Sequence, residues 1–356
     1  MLSGYGRSAY LSLFGLDGDP FFTFPSLTVE DVDKLYVHRR GDEKLDSTVL
    51  EVLSMRSTGF VAVCGGYGEG KTTCLTRLFR IFEQSDAKAL MAKTKIGLGK
   101  ETVLEICRLI VRSAEKKSLR IFRLSIRKHG VEEAEVFSSP AKAGFLLAEE
   151  LKRLKPCALL IDDLQNVFFM SSRWKYFLLE MIRQVASNLD NGVLLVFSTT
   201  PHAYDAVGDE FPALTSRVHL TVKLEPLSDE EALVLVRKRL THRRVRRVSK
   251  PLHPFNEEVV RFLNEYVGGN PRELLRVLSE CLRIAIDLRK RRVDEEVVNI
   301  FVERNKPLME ILSSIPRYLR LDYITILNYF KGGPVRLNRV CLLYTSDAAD
   351  ELDGVD

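Results

Sequence analysis

One stretch, residues 60–82, restricts the fold more than any other. Phe60-Val-Ala-Val-Cys64 is an unbroken apolar run, the mark of a strand buried on both faces of a parallel sheet. Gly65-Gly66-Tyr67-Gly68-Glu69-Gly70-Lys71-Thr72 follows at once, with Thr73 after it, and matches G-x-x-x-x-G-K-[ST] at every position. Helical spacing then returns through Phe82. A strand, a glycine-rich loop and a helix in that order form the cradle in which backbone N–H groups converge on phosphate oxygens at a helix N-terminus. Glycines are needed because the loop turns through backbone angles that a side chain would obstruct. In this cradle Lys71 reaches the β- and γ-phosphates and the Thr72 hydroxyl ligates Mg²⁺, so the motif predicts binding of ATP with Mg²⁺.

The strand–helix alternation recurs. Ala87 to Ala92, Cys157 to Ile161, Val193 to Phe197 and His219 to Leu224 read as further strands. Helical patterns separate them at 101–114 and 174–188. Alternation of this kind predicts βαβ units and an α/β fold with a parallel sheet covered on both faces. From Ser228 onward only helical spacing remains, over 229–240, 256–266, 271–288 and 294–303, which predicts a separate helical domain. Residues 1–30, rich in Phe, Gly and Pro, read as an irregular arm.

Leu159-Leu160-Ile161-Asp162-Asp163 supplies the second half of a nucleotide site. Acids at the carboxyl end of an apolar strand lie at the sheet edge where such loops sit. Asp162 is the expected Mg²⁺ anchor. Asp163 is the expected base that orients or deprotonates the attacking water, or else it only caps the next helix.

With these residues in place, the chain resembles the AAA+ ATPases over roughly 30–305, and within them the replication-initiator and origin-recognition clade. The loop and the acid pair take the places of the Walker A and Walker B motifs. Ser198-Thr199-Thr200 ends the fourth strand where these ATPases keep a polar sensor, which points to Thr199. Leu214-Thr-Ser-Arg217-Val, followed by Leu224-Glu-Pro-Leu-Ser-Asp-Glu-Glu231, resembles the stretch that holds an arginine finger and leads to the lid domain. Gly268-Gly-Asn-Pro-Arg272-Glu-Leu-Leu resembles the start of a sensor-2 helix. The resemblance implies an ATPase in which Asp163, Thr199, Arg217 and Arg272 serve hydrolysis; the departure at Asp163 described below points to slow hydrolysis or a nucleotide switch with little turnover. Arg217 would act on a neighbouring subunit, in a homo-oligomer or with a partner ATPase. His38-Arg39-Arg40 stands where related proteins contact the base. Initiators commonly carry Asp-Glu where this chain has Asp162-Asp163, a base shortened by one methylene.

The resulting organisation is an arm over 1–30, an AAA+ core over 31–226, a helical lid over 227–305, and a truncated winged-helix-like segment over 306–340. The last rests on Leu321 to Phe330, the Gly332-Gly333-Pro334 turn and Val335-Arg-Leu-Asn-Arg-Val340. Cys341-Leu-Leu-Tyr-Thr-Ser-Asp-Ala-Ala-Asp350-Glu351 resembles a translated sequencing adapter, so 341–356 stands apart from the fold. Those residues hold five acids and no Lys or Arg; without them the formal charge rises from +5 to +10.

Two basic clusters qualify the partner. Residues 237–250 hold eight Lys or Arg and no acid, and Arg289-Lys-Arg-Arg292 adds four more. Such patches bind phosphate backbones through counterion release or form a solvated face. Together with the winged-helix resemblance they predict duplex DNA as partner, with replication initiation as the setting. Two other readings stay open: a regulatory nucleotide switch with a protein-binding C-terminal module, and a transposition- or secretion-associated ATPase. Six scattered cysteines predict a reduced, cytoplasmic protein, and no apolar run approaches the roughly 20 residues that cross a bilayer.

Overall fold

The computed structural model describes residues 7–21, 29–114 and 139–313, which divide into two compact units. One unit is built on a five-stranded sheet in the order β2-β3-β4-β1-β5. Its strands are β1 (Gly59–Cys64), β2 (Lys88–Lys93), β3 (Cys157–Asp162), β4 (Val193–Thr199) and β5 (Leu220–Lys223). All are parallel, with Cys64 opposite Thr199 and Ile161 opposite Phe197.

Successive side chains on a strand point to opposite faces, and here the two faces feed two different cores. Phe60, Ala62 and Cys64 of β1, Leu159 and Ile161 of β3, and Val193, Leu195 and Phe197 of β4 share one core. It is closed by the helices Gly99–Ala114, Pro140–Arg153 and Ser172–Ser187. Val61 and Val63, Ala158 and Leu160, and Leu194 and Val196 face the other core. The helix Asp42–Leu53 and the Cys74–Phe82 portion of the helix Lys71–Gln84 cover that side. The sheet is therefore sandwiched, as the unbroken apolar runs require. The expected strands all form, each within a residue or two of its sequence bounds.

The second unit is helical. Among the described residues it takes in 7–40, 66–73 and 225–313. The helix Asp229–His242 starts on a capping box in which the Ser228 side chain and Glu231 satisfy each other's backbone N–H groups. Asn256 caps the helix Glu257–Tyr266, and Asn270 caps Pro271–Asp287, whose Pro271 sits where no N–H is needed. The helix Glu295–Ser313 closes the set.

Two features differ from the sequence reading. Within the arm assigned to 1–30, Arg7–Phe14 is a helix. Tyr10, Phe14, Leu16 and Phe21 are buried in the same core as Leu233, Leu278, Leu282 and Phe301. The aromatic residues that made the arm look irregular are anchors, and burial of each is worth about 1.5–3 kcal/mol. The second difference is a boundary. Residues 31–40 and the loop 66–73 group with the helical unit, not with the sheet as a 31–226 core would have it. The winged-helix-like segment beyond 313 and the adapter-like tail lie outside the described residues.

No helix among the described residues is long and apolar enough to cross a membrane. The described cysteines are buried, and burial pushes the thiols of Cys107, Cys157 and Cys281 up to about 12.

Candidate nucleotide site

The glycine-rich loop 65–72 is held by its own residues and by the start of the helix Pro271–Asp287. Gly68 and Gly70 have φ of 81° and 93°, left-handed values that other residues adopt at a cost. A side chain at Gly68 would also come within 2.7 Å of Asn270 Oδ1 and 2.8 Å of Arg272 Cβ. Asn270 does two jobs. Its Oδ1 accepts the backbone N–H groups of Arg272 and Glu273, while its Nδ2 donates to the Tyr67 carbonyl at 2.8 Å. The Arg272 N–H also donates to the Gly68 carbonyl at 3.3 Å. The Arg272 side chain is exposed.

Inside the loop, Lys71 is buried, donates to the Gly66 carbonyl at 2.9 Å and lies 5.4 Å from the Tyr67 ring centroid. The buried Glu69 carboxylate accepts the Gly66 N–H at 2.5 Å. Burial raises its pKa, against the opposing pull of that hydrogen bond, Lys71 and Arg39. Of His38, Arg39 and Arg40, Arg39 is the one brought to the loop. Its Nη1 donates to the Glu225 carbonyl at 3.2 Å, and its Nη2 would be 3.2 Å from a Cβ at Gly70. Gly65 leaves the sheet with its N–H on the Thr199 carbonyl at 3.1 Å, and Thr72 and Thr73 are half-buried at the start of their helix.

The acid pair belongs to the sheet unit. Asp162 ends β3 and is buried. Ser198 donates its hydroxyl to Asp162 Oδ1 at 2.5 Å and accepts the Asp163 N–H at 2.9 Å. Asp163 is left-handed, φ 57° and ψ 45°, ahead of the 3₁₀ turn Leu164–Phe169, and its carboxylate makes no cap to that turn. Instead Oδ2 pairs with Lys93 Nζ at 2.8 Å and Oδ1 accepts from Gln165 Nε2 at 2.9 Å. The capping alternative for Asp163 therefore has no hydrogen bond behind it.

Strand alternation explains which β4 residue meets the acids. Val196 and Ser198 share one face with Leu160 and Asp162; Phe197 and Thr199 share the other with Cys64. Thr199 is buried and engages Gly65 through its carbonyl, whereas Ser198, passed over in the sequence, touches Asp162. Its signal was legible in the alternation of the strand. Thr200 caps the helix Pro201–Glu210. Arg217 is set apart: Nε donates to Ser187 Oγ at 2.8 Å and Nη1 to the Ala213 carbonyl.

Thr72 and Asp162 are hard oxygen donors of the kind Mg²⁺ accepts. Among the described residues no group of three or more His, Cys, Asp or Glu is arranged to hold a metal.

No family model matches the chain. An uncharacterized HTH-type transcriptional regulator of Methanocaldococcus jannaschii is 27% identical over 155 residues, 43% of this chain. The match spans only 36% of that relative's length. Among solved structures, CDC6p from Pyrobaculum aerophilum is similar at TM-score 0.53 and 16% identity, covering 92% of this chain and 85% of that one. The ADP form of the Aeropyrum pernix ORC2 protein is similar at TM-score 0.51 and 15% identity, covering 89% and 88%. At such identities the likeness concerns the fold alone: an α/β unit on a parallel sheet together with a helical unit.

Proposed function

We propose that this AAA+ chain binds ATP with Mg²⁺, hydrolyses it slowly, and couples nucleotide state to binding of duplex DNA, in replication initiation or a related remodelling step. The observation that carries the coupling is the grip of Asn270 and Arg272 on the backbone of Tyr67 and Gly68. A loop that reshapes around phosphates changes the two carbonyls on which the helix Pro271–Asp287 is seated, so nucleotide state is felt in the helical unit.

In this reading Gly65 to Thr73 cradle the phosphates, with Lys71 on the β- and γ-oxygens. Thr72 and Asp162 hold Mg²⁺, which neutralises charge on the phosphate oxygens when bound. Ser198 keeps the Asp162 carboxylate in one orientation. Asp163 takes or orients the proton of the attacking water, Arg272 stabilises phosphate charge, and Arg217 acts toward a neighbouring subunit after leaving Ser187. Thr199 contributes through its main chain and its place at the strand end. Arg39 supports the reading by adding positive charge at the loop.

A second reading, a regulatory switch that holds nucleotide with little turnover and acts on a protein, is favoured by one observation. The Asp163 carboxylate is already engaged by Lys93 and Gln165. Calorimetry of Mg²⁺–ATP binding, turnover, and anisotropy of a labelled duplex with and without ATP separate the readings. Lys71→Ala should abolish ATP binding. DNA affinity that ignores nucleotide would overturn the coupling, and affinity for no duplex at any salt would leave the switch.

A further inference from the structure

We infer that the segment 243–254 and the turn 289–292 form one basic face of the helical unit, and that this face holds the phosphate backbone of duplex DNA. The inference rests on the DNA-binding part of the proposed function and gives it a location in the lid domain, independent of any segment beyond 313.

In sequence the two clusters are about forty residues apart; hydrogen bonds join them in the fold. Arg244 donates to the Phe14 and His253 carbonyls, and the Val293 N–H donates to the Pro254 carbonyl at 3.0 Å. That path runs from Arg244 through His253 and Pro254 to Val293, next to Arg292. His253 feels both ends: after burial, the charges of Arg244 and Arg292 lower its pKa. On the other side, the Val245 and Arg246 N–H groups donate to the Gly15 carbonyl, and the Asp17 N–H donates to the Arg243 carbonyl. The basic loop is therefore pinned at several backbone positions and presents its side chains from a fixed frame.

The cations sort into two sets. Lys238 donates to the Tyr36 carbonyl, Arg239 is half-buried, Arg243 pairs with Asp17 at 3.6 Å, and Arg244 is spent on carbonyls. Lys290 pairs with Asp294 and Glu296. These hold the fold. Arg246, Arg247, Lys250, Arg289, Arg291 and Arg292 are exposed and make no ion pair among the described residues. Six such cations on one face, with no acid inside either segment, repel one another, and a polyanion relieves that repulsion. Duplex DNA fits better than an anionic bilayer. A basic surface alone gains about 1 kcal/mol per Lys or Arg at an anionic bilayer, and stable attachment takes a second signal such as the apolar face of a helix, which neither of these turn segments supplies.

The test uses the full chain and anisotropy titrations of a random-sequence duplex of about 30 base pairs across a salt series. One variant carries Arg246→Gln, Arg247→Gln and Lys250→Gln; a second carries Arg291→Gln and Arg292→Gln. A control removes equal charge from exposed positions on the sheet unit, with Lys44→Gln, Arg56→Gln and Arg108→Gln. Each lost phosphate contact should flatten the slope of log affinity against log salt by about 0.9, so the triple variant should lose about two to three units of slope and at least about tenfold in affinity. The control should stay within about twofold of wild type. Unchanged melting temperature and ATP affinity show that the variants are folded. If control and triple variant weaken alike, net charge binds DNA and the face does not, while the proposed function stands. If the wild type binds no duplex, both fail. Loss of binding to vesicles of anionic lipid, with duplex binding intact, overturns the assignment to DNA.

Discussion

Ser198 donates its hydroxyl to Asp162 Oδ1 at 2.5 Å and takes the Asp163 N–H at 2.9 Å, so one side chain bonds the Asp162 carboxylate and the Asp163 backbone. Groups that orient a ligating carboxylate commonly matter by about 10–100-fold in metal affinity or activity. Ser198→Ala should therefore raise the Mg²⁺ concentration needed for half-maximal ATP turnover by about tenfold, with ATP affinity in excess Mg²⁺ little changed. Titrating Mg²⁺ at fixed ATP checks this. Thr199→Val is the comparison, because Thr199 points to the opposite face; if it shifts the Mg²⁺ requirement as much as Ser198→Ala, the positioning role is wrong.

Asp163 shares its carboxylate between Lys93 and Gln165. The Lys93 partner is well exposed, 61% at the side chain, so the pair is worth little to stability, yet it occupies an oxygen that a water would need. Lys93→Ala should raise kcat by about twofold to fivefold without moving melting temperature. Asp163→Asn should lower kcat by at least about 100-fold, the ordinary share of a general base. Single-turnover hydrolysis measures both. Asp163→Asn turning over at the wild-type rate would remove Asp163 from the chemistry.

The sheet was readable because its strands are unbroken apolar runs, and the loop because its glycines and Lys71 leave few alternatives. What escaped has specific causes. The helix Pro140–Arg153 begins on Ser139-Pro140, a cap and a first-turn proline, a start signal that the reading of the strands passed over. The helix Arg7–Phe14 buries its aromatics against residues more than two hundred positions away, and no local pattern announces such a partner. Ser198 and Thr199 were adjacent polar residues in the sequence; only the face each strand position takes decides between them. The Glu69 carboxylate inside the loop and the Arg246 to Arg292 face depend on tertiary contacts that spacing does not carry.

Asn270 joins a helix cap to the phosphate loop. Losing an Asn cap costs about 1 kcal/mol, and the bond to Tyr67 adds to it. Asn270→Ala should lower the melting temperature by about 2–4 °C. Its distinguishing effect is on coupling: the rise in melting temperature that saturating ATP produces should shrink relative to wild type. Differential scanning calorimetry with and without ATP reads both. An Asn270→Ala protein that is destabilised but gains as much from ATP as wild type would reduce the residue to a cap.

Glu69 gives a pH dependence whose sign follows from its burial. Its folded pKa is raised above the ordinary 4.5, chiefly by desolvation. Between the unfolded and folded values the native state holds more protons than the unfolded chain, so stability falls as pH rises through that window and the full penalty remains above it. Glu69→Gln keeps an acceptor for the Gly66 N–H and removes the buried charge. It should be more stable than wild type near about pH 7, with the difference shrinking as pH falls toward about 4.5. The same substitution takes a negative charge out of the loop proposed to cradle phosphates, so it should tighten ATP binding by about threefold to tenfold at neutral pH. Urea denaturation at several pH values and calorimetric titration with ATP give the two readouts. A stability difference that does not change with pH would show that the carboxylate is solvated in the folded chain, and ATP affinity unmoved by Glu69→Gln would show that it lies clear of the phosphates.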